Sequence, residues 1–190
     1  MITLMIGGAR SGKSSYAETY CLKKDKNLAY IATAQVYDEE MKDRVKKHQD
    51  RRKNNWDTYE EPYKVSKLLE EISGQYQVIL IDCLTLYITN LLLVDFDDKN
   101  KDLVLFADKQ EEIIKKEILA VLDAVSEKTE LVIVSNEVGL GIVPDNFLSR
   151  TFRDINGRMN QLVGERADSV FFTVAGIPVK IKPDLERIQL

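Results

Sequence analysis

The amino-acid sequence predicts an α/β fold in which helices flank a mostly parallel β-sheet. Short runs of β-branched and apolar residues alternate with longer helix-favouring stretches along the chain, which is the pattern of β-α-β units. The first run leads directly into a glycine-rich turn and then into a helix-favouring stretch. The length of 190 residues suits one domain with a substantial core. We therefore expect a single domain over residues 1–190, without internal repeats or linkers.

The elements of the first half follow from apolar runs that end at turn-forming or charged residues. Residues 2–6 and 28–32 are short apolar runs, as expected of buried strands. A helix is expected between them at 13–24, and a strongly charged helix at 38–53. Beyond these we expect an extended segment at 56–60 stopped by Pro62, a helix at 65–72 and a strand at 77–82.

The second half contains the clearest strand signal of the chain, at residues 131–135, which read Leu-Val-Ile-Val-Ser. Two further runs, at 169–174 and 178–181, are separated by Ala-Gly-Ile and predict an antiparallel hairpin at a sheet edge. The remaining expected elements are helices at 84–94, 103–126 and 147–166, a polar loop at 95–101, and a loop containing Gly139, Gly141 and Pro144.

The turn after the first run carries a phosphate-binding motif of the form G-x-x-x-x-G-K-[ST]. Its residues are Gly7, Gly8, Ala9, Arg10, Ser11, Gly12, Lys13 and Ser14. Backbone N–H groups and the positive end of the helix dipole can surround a polyphosphate there. Lys13 would reach the outer phosphates, and the Ser14 hydroxyl would bind Mg²⁺. A chance glycine turn is the alternative, but the strand before the motif and the helix after it favour a nucleoside-triphosphate site.

A second nucleotide-binding element is expected at the end of the run 78–82, where four apolar residues precede Asp82. In phosphate-loop proteins such a carboxylate holds Mg²⁺ directly or through water. The alternative is that Asp82 only caps the next helix. The two roles are compatible, and both remain open at this point.

The single histidine, His48, lies in a basic part of the expected helix 38–53. Residues 42–53 contain seven cations and two anions, a concentration that suits an anionic ligand. Nearby cations disfavour protonation of the imidazole, so a neutral ring nitrogen could attack phosphorus. The alternative is a histidine without a chemical role on a solvated helix face.

Composition argues against several other classes of protein. The net charge of −4 argues against a nucleic-acid-binding surface over the whole protein. The two cysteines, Cys21 and Cys83, lack metal-ligand spacing and read as core thiols of a cytoplasmic protein. No signal peptide is expected, and four polar residues interrupt the longest apolar stretch, 78–94, so no membrane span is expected either.

The chain resembles the bifunctional adenosylcobinamide kinase / adenosylcobinamide-phosphate guanylyltransferase family of cobalamin biosynthesis. The matching segments are residues 7–14, 30–34, 38–41, 56–58, 82–85, 135–144, 152–154 and 175–178, together with Arg44, His48, Arg52, Glu60, Asn90, Gly157, Asn160 and Gln161. The segment 136–144 and the spacing from Glu39 to Arg52 are the most specific of these.

The resemblance implies a RecA-like sheet, a homotrimer and two reactions. One phosphorylates adenosylcobinamide from ATP or GTP, and the other transfers GMP from GTP to the resulting phosphate through a GMP–histidine intermediate at His48. These reactions are consistent with Mg²⁺ held by Ser14 and Asp82, as the phosphate loop and the strand-end carboxylate already indicate. The positions implied to contact GTP are Gly7, Gly8, Ala9, Arg10, Ser11, Gly12, Lys13, Ser14, Ala32, Thr33, Ala34, Gln49, Asp50, Arg51, Arg52, Glu60 and Asp82. Asn136 and Glu137 are further candidates from their place after a strand, or they form a turn with a helix cap.

We retain two alternatives to the bifunctional enzyme that the resemblance implies. The first is a small-molecule kinase that uses only the phosphate loop, with His48 non-catalytic. The second is a nucleotide-regulated binding module or nucleic-acid motor, for which the basic helix is the only support.

Overall fold

A computed structural model describes residues 1–25, 27–35, 56–94, 96–97 and 102–183. Seven strands form one sheet in the order β3-β2-β4-β5-β1-β6-β7. Every neighbouring pair is parallel except β6 and β7, which form an antiparallel hairpin at the edge. The expected α/β class and the C-terminal hairpin are thereby confirmed. The strands are β1 Ile2–Gly7, β2 Leu28–Ala32, β3 Asp57–Glu60, β4 Val78–Asp82, β5 Glu130–Asn136, β6 Ser169–Val174 and β7 Ile177–Lys182.

Five α-helices and one short 3₁₀ turn connect the strands within the described ranges. They are α1 Lys13–Lys24, α2 Val65–Ile72, the 3₁₀ turn Ser73–Gln75, α3 Leu84–Leu93, α4 Leu103–Asp123 and α5 Phe147–Arg166. The largest difference in bounds concerns α4, which ends three residues earlier than expected, because residues 124–129 form the turn into β5. The expected helix 38–53 lies outside the described residues, as does most of the expected loop 95–101. No helix in the described ranges is both long and apolar enough to cross a membrane.

Both faces of the sheet are covered, as the continuous apolar strands require. Successive residues of β1 point to opposite faces: Met5 packs with Ala17 and Cys21 of α1, whereas Leu4 joins the core beneath the other helices. That second core contains residues of α2, α3, α4 and α5, including Leu69, Ile88, Ile114 and Met159. Both cysteines are buried free thiols, as expected.

The strand register brings the carboxyl ends of the strands to one edge of the sheet. Gly7 at the end of β1 lies opposite Asn136 of β5 and Thr173 of β6. Ala32 at the end of β2 lies opposite Asp82 of β4 and Glu60 of β3. In parallel α/β sheets ligands bind at this edge, so the predicted site residues Gly7, Ala32, Glu60, Asp82 and Asn136 meet there.

Candidate functional site

The phosphate loop has the backbone conformation that the motif predicts. Arg10 and Gly12 adopt left-handed φ values of 58° and 94°, and Ser11 N donates to Gly8 O at 3.2 Å to close the turn. Helix α1 then begins, with Gly12 as an N-cap that supplies no side-chain hydrogen bond. The first N–H groups of this helix therefore have no side-chain cap, and they carry the positive end of the helix dipole. This arrangement suits a phosphate group.

The β6–β7 hairpin holds the loop from one side. Gly176 N in the hairpin turn donates to Ser11 O at 2.8 Å. A Cβ on Gly12 would lie 3.2 Å from Gly176 Cα, and a Cβ on Gly7 would lie 2.5 Å from Thr173 O. The glycines at both ends of the motif are thus needed for close packing against β6 and its turn as well as for the turn itself.

Lys13 is buried at the start of α1, with 7 % of its surface exposed. Its Nζ donates to Gly8 O at 3.2 Å, across the loop. Burial lowers the pKa of the Lys13 ammonium from its ordinary value, and attraction to the Asp82 carboxylate partly opposes this. The site therefore holds a poorly solvated positive charge, which a bound triphosphate would neutralise.

Asp82 lies at the end of β4, facing α1. Its Oδ1 accepts a hydrogen bond from Ser14 Oγ at 3.4 Å, and its Oδ2 accepts one from Tyr30 OH at 2.9 Å. The cap residue of the next helix is Cys83, which provides no side-chain cap hydrogen bond. In this geometry Asp82 faces the phosphate loop and does not cap α3.

The pair of oxygens on Ser14 and Asp82 fits a magnesium ion. Two ligands on adjacent corners of a Mg²⁺ octahedron lie about 3 Å apart, close to the 3.4 Å between these atoms. Among the described residues, no group of three or more His, Cys, Asp or Glu side chains could hold a metal. A two-ligand site is what Mg²⁺ uses when phosphate oxygens and waters complete its shell.

The segment after β2 is fixed by Thr33, whose side chain is buried. Thr33 Oγ1 accepts from Cys83 N at 2.9 Å and donates to Cys83 O at 2.8 Å, and Asn90 Nδ2 donates to Thr33 O at 2.7 Å. The Thr33 side chain thus positions the residue after Asp82. Ala32 and Ala34 are half-buried, and Glu60 is exposed beside Ala32.

Asn136 at the end of β5 is held by a buried polar network that connects β5 to α3 and α5. Asn136 N donates to Thr85 Oγ1 at 2.7 Å, and Asn136 O accepts from both Asn156 Nδ2 and Asn160 Nδ2 at 2.9 and 3.0 Å. Glu137 N then donates to Gly7 O at 3.0 Å. Neither residue caps the next helix, since that cap is Asn146, which accepts from Ser149 N.

Sequence reasoning therefore located the main parts of the described site but assigned no role to Tyr30, Thr85, Asn156 or Gly176. Tyr30, Thr85 and Gly176 lie inside segments that carried the family resemblance, so the resemblance was a signal for them. Asn156 contacts Asn136 across the fold, which no local pattern reveals. The predicted site residues His48, Gln49, Asp50, Arg51 and Arg52 lie outside the described residues, and their roles stay predictions.

The family profile and the relatives that match in sequence agree on one family. The family profile described as "Cobinamide kinase / cobinamide phosphate guanyltransferase" matches residues 3–181. The chain is 39 % identical over 183 residues to the "Bifunctional adenosylcobalamin biosynthesis protein CobU" of Escherichia coli, with 96 % of this chain and 100 % of that protein covered. It is 40 % identical to the CobP protein of the same description from Pseudomonas aeruginosa, covering 96 % of this chain and 98 % of that protein. The CobU protein of Salmonella typhimurium is also 40 % identical, with 96 % and 100 % covered.

Proposed function

The chain belongs to the cobinamide kinase / cobinamide phosphate guanyltransferase family, and we propose that it carries out both reactions at one phosphate loop. The first transfers the γ-phosphoryl group of ATP or GTP to the hydroxyl of adenosylcobinamide. The second transfers GMP from GTP to adenosylcobinamide phosphate, which gives adenosylcobinamide-GDP and pyrophosphate. The observation that carries the proposal is the convergence of buried Lys13, the α1 N-terminus and the Ser14–Asp82 pair at one sheet edge.

In the kinase step this chain mainly positions the triphosphate and stabilises its charge. The loop N–H groups and Lys13 face the outer phosphates, where negative charge accumulates as the γ-phosphoryl leaves. Ser14 and Asp82 would hold Mg²⁺, which supplies further neutralisation of the phosphate oxygens when bound. Tyr30 keeps Asp82 oriented through its hydrogen bond to Oδ2.

In the guanylyl-transfer step we assign the nucleophile to His48. A neutral imidazole nitrogen attacks the α-phosphorus of GTP, a P–N bond forms, and the bond to the pyrophosphate oxygen breaks. A phosphate oxygen of adenosylcobinamide phosphate then attacks the same phosphorus, the P–N bond breaks and the imidazole is regenerated. Covalent catalysis divides a difficult transfer into two easier ones. The cations of residues 42–53 would stabilise the charge on the leaving pyrophosphate.

We assign the remaining positions by their match to the family. Gln49, Asp50, Arg51 and Arg52 follow His48 in the sequence, and we assign them to GTP contacts together with the backbone of residues 32–34 and Glu60. In this proposal the protein is a homotrimer, as in its family. It acts in the cytoplasm, which is in line with its two free buried thiols.

Two variants separate the shared site from the covalent step. Lys13→Ala is expected to lower both activities by about 100-fold or more, because a buried charge-stabilising group is lost. His48→Ala is expected to abolish guanylyl transfer and to leave most of the kinase activity. The two reactions are assayed apart, with adenosylcobinamide and γ-labelled ATP in one and with preformed adenosylcobinamide phosphate and GTP in the other.

Lys23→Ala, at the far end of the same helix, is the matched control. Either reaction proceeding at the wild-type rate in Lys13→Ala would refute the shared loop. Guanylyl transfer that persists in His48→Ala would leave the phosphate-loop kinase as the better account.

A further inference from the structure

The segment of residues 137–144, which follows β5 at the sheet edge that carries the phosphate loop, exposes large apolar side chains. Leu140 is 80 % exposed, Ile142 is 96 % exposed and Val143 is 64 % exposed. Isolated exposed apolar residues are common, but three within four positions form a patch that usually marks a binding surface. The 137–144 segment contributes no buried side chain to either core cluster, so packing of the described fold does not account for it.

The 137–144 segment is anchored at both of its ends. At the start, Glu137 N donates to Gly7 O at 3.0 Å and Gly139 N donates to Glu137 Oε1 at 2.7 Å. At the end, Arg150 Nη1 donates to Pro144 O at 2.9 Å. These bonds tie the segment to the start of the phosphate loop at one end and to α5 at the other.

A second set of exposed apolar residues lies on the other side of the loop. Val174 and Ile177, in the β6–β7 hairpin, are 53 % and 65 % exposed. The hairpin turn between them contacts the loop through the hydrogen bond from Gly176 N to Ser11 O. Since β5 and β6 both pair with β1, the 137–144 segment and the hairpin turn leave the sheet at the same edge, on the two sides of β1.

We propose that the 137–144 segment, with Val174 and Ile177, is the acceptor subsite that contacts the apolar rim of the corrin macrocycle of cobinamide. This inference rests on the proposed function. The triphosphate is recognised through charge and hydrogen bonds, which Leu140, Ile142 and Val143 do not supply. The acceptor is a large ring whose rim carries methyl groups and amide-terminated chains. In both reactions it must reach a phosphate bound at the loop, and the 137–144 segment leaves the sheet beside the first residue of that loop.

The test is the double substitution Leu140→Ser and Ile142→Ser. We expect the KM for adenosylcobinamide, and its Kd measured by equilibrium dialysis from the visible absorbance of the corrin, to rise tenfold or more. The KM for GTP is expected to stay within twofold of wild type, because the residues of the phosphate loop are untouched. Both side chains are exposed, so the fold itself is expected to be unaffected.

Leu22→Ser is the matched control. Leu22 is also an exposed leucine, at 45 %, but it lies nine residues along α1 from Lys13, about 14 Å at the helical rise. An unchanged KM and Kd for adenosylcobinamide in the double variant would overturn the inference. Loss of the native oligomer, measured by light scattering, would overturn it in favour of an interface between copies of the chain. If wild-type protein binds GTP but neither phosphorylates nor guanylylates cobinamide, the proposed function fails as well.

Discussion

Gly7→Ala tests how closely the phosphate loop is packed against strand β6. The added Cβ would lie 2.5 Å from Thr173 O and 2.8 Å from Ser11 Oγ. The Ser11 side chain could rotate away, but Thr173 O belongs to a paired strand. Restoring an ordinary contact of 3.4 Å to that oxygen requires a shift of about 0.9 Å. Gly7 is paired with strands on both sides, so the shift must disturb the sheet or the loop.

The expected loss in the free energy of unfolding follows from the rigidity of the contact. Overpacking a dense site costs about 1–3 kcal/mol of the free energy of unfolding, and a clash with strand backbone belongs at the upper end. For a protein of this length, about 3 kcal/mol corresponds to a decrease in Tm of roughly 6–12 °C. We also expect Gly7→Ala to weaken GTP binding, because the displaced strand end carries the loop.

Gly8→Ala is the matched control, since no heavy atom lies within 4 Å of a Cβ at that position. Its Tm without nucleotide is expected to stay within about 2 °C of wild type, as for surface substitutions. Thermal unfolding followed by circular dichroism compares the two variants. A Gly7→Ala protein that melts within about 2 °C of Gly8→Ala would refute the packing argument.

Two further predictions concern the charged groups of the site. Lys13→Met is expected to raise the free energy of unfolding of the nucleotide-free protein by roughly 1 kcal/mol, and so its Tm by about 2–4 °C. Nucleotide binding is expected to be lost. Because burial lowers the pKa of Lys13, the folded protein binds fewer protons than the unfolded chain at alkaline pH. The difference in stability between Lys13→Met and the wild type therefore shrinks as pH rises through the lowered pKa towards 10.5. A Lys13→Met protein that is less stable than wild type in melts from pH 7 to 10 would contradict this prediction. Tyr30→Phe removes the hydrogen bond to Asp82 and is expected to raise the Mg²⁺ concentration for half-maximal kinase activity about tenfold. Tyr59→Phe, which loses a hydroxyl contact to Tyr76 instead, serves as its control, and equal Mg²⁺ dependence of the two would exclude the orienting role.

The phosphate loop could be predicted from sequence because its chemistry is local. Gly12, Lys13 and Ser14 act through the turn and the helix that they themselves begin. Asp82 could be predicted because an acid at the end of an apolar run has a small set of roles. The choice between those roles required the structure, which points its oxygens at Ser14 and Tyr30.

The rest of the site depends on contacts between distant parts of the chain. The insertion of β5 between β1 and β4 is a matter of topology that apolar periodicity does not encode. The amides of Asn156 and Asn160 meet Asn136 only after α5 packs beneath the sheet edge. The place of Gly176 against Ser11 and Gly12 likewise follows from tertiary packing, although the turn that contains it was recognised.

The most direct measurement of the central claim is a labelling experiment. The purified protein and its His48→Ala variant are incubated with Mg²⁺ and GTP labelled in either the α- or the γ-phosphate, then denatured and separated on a gel. We predict covalent label from the α-position only, which is lost in acid, stable in base and absent from the variant. No covalent label from either position, or label that persists in the variant, would contradict a guanylylated His48.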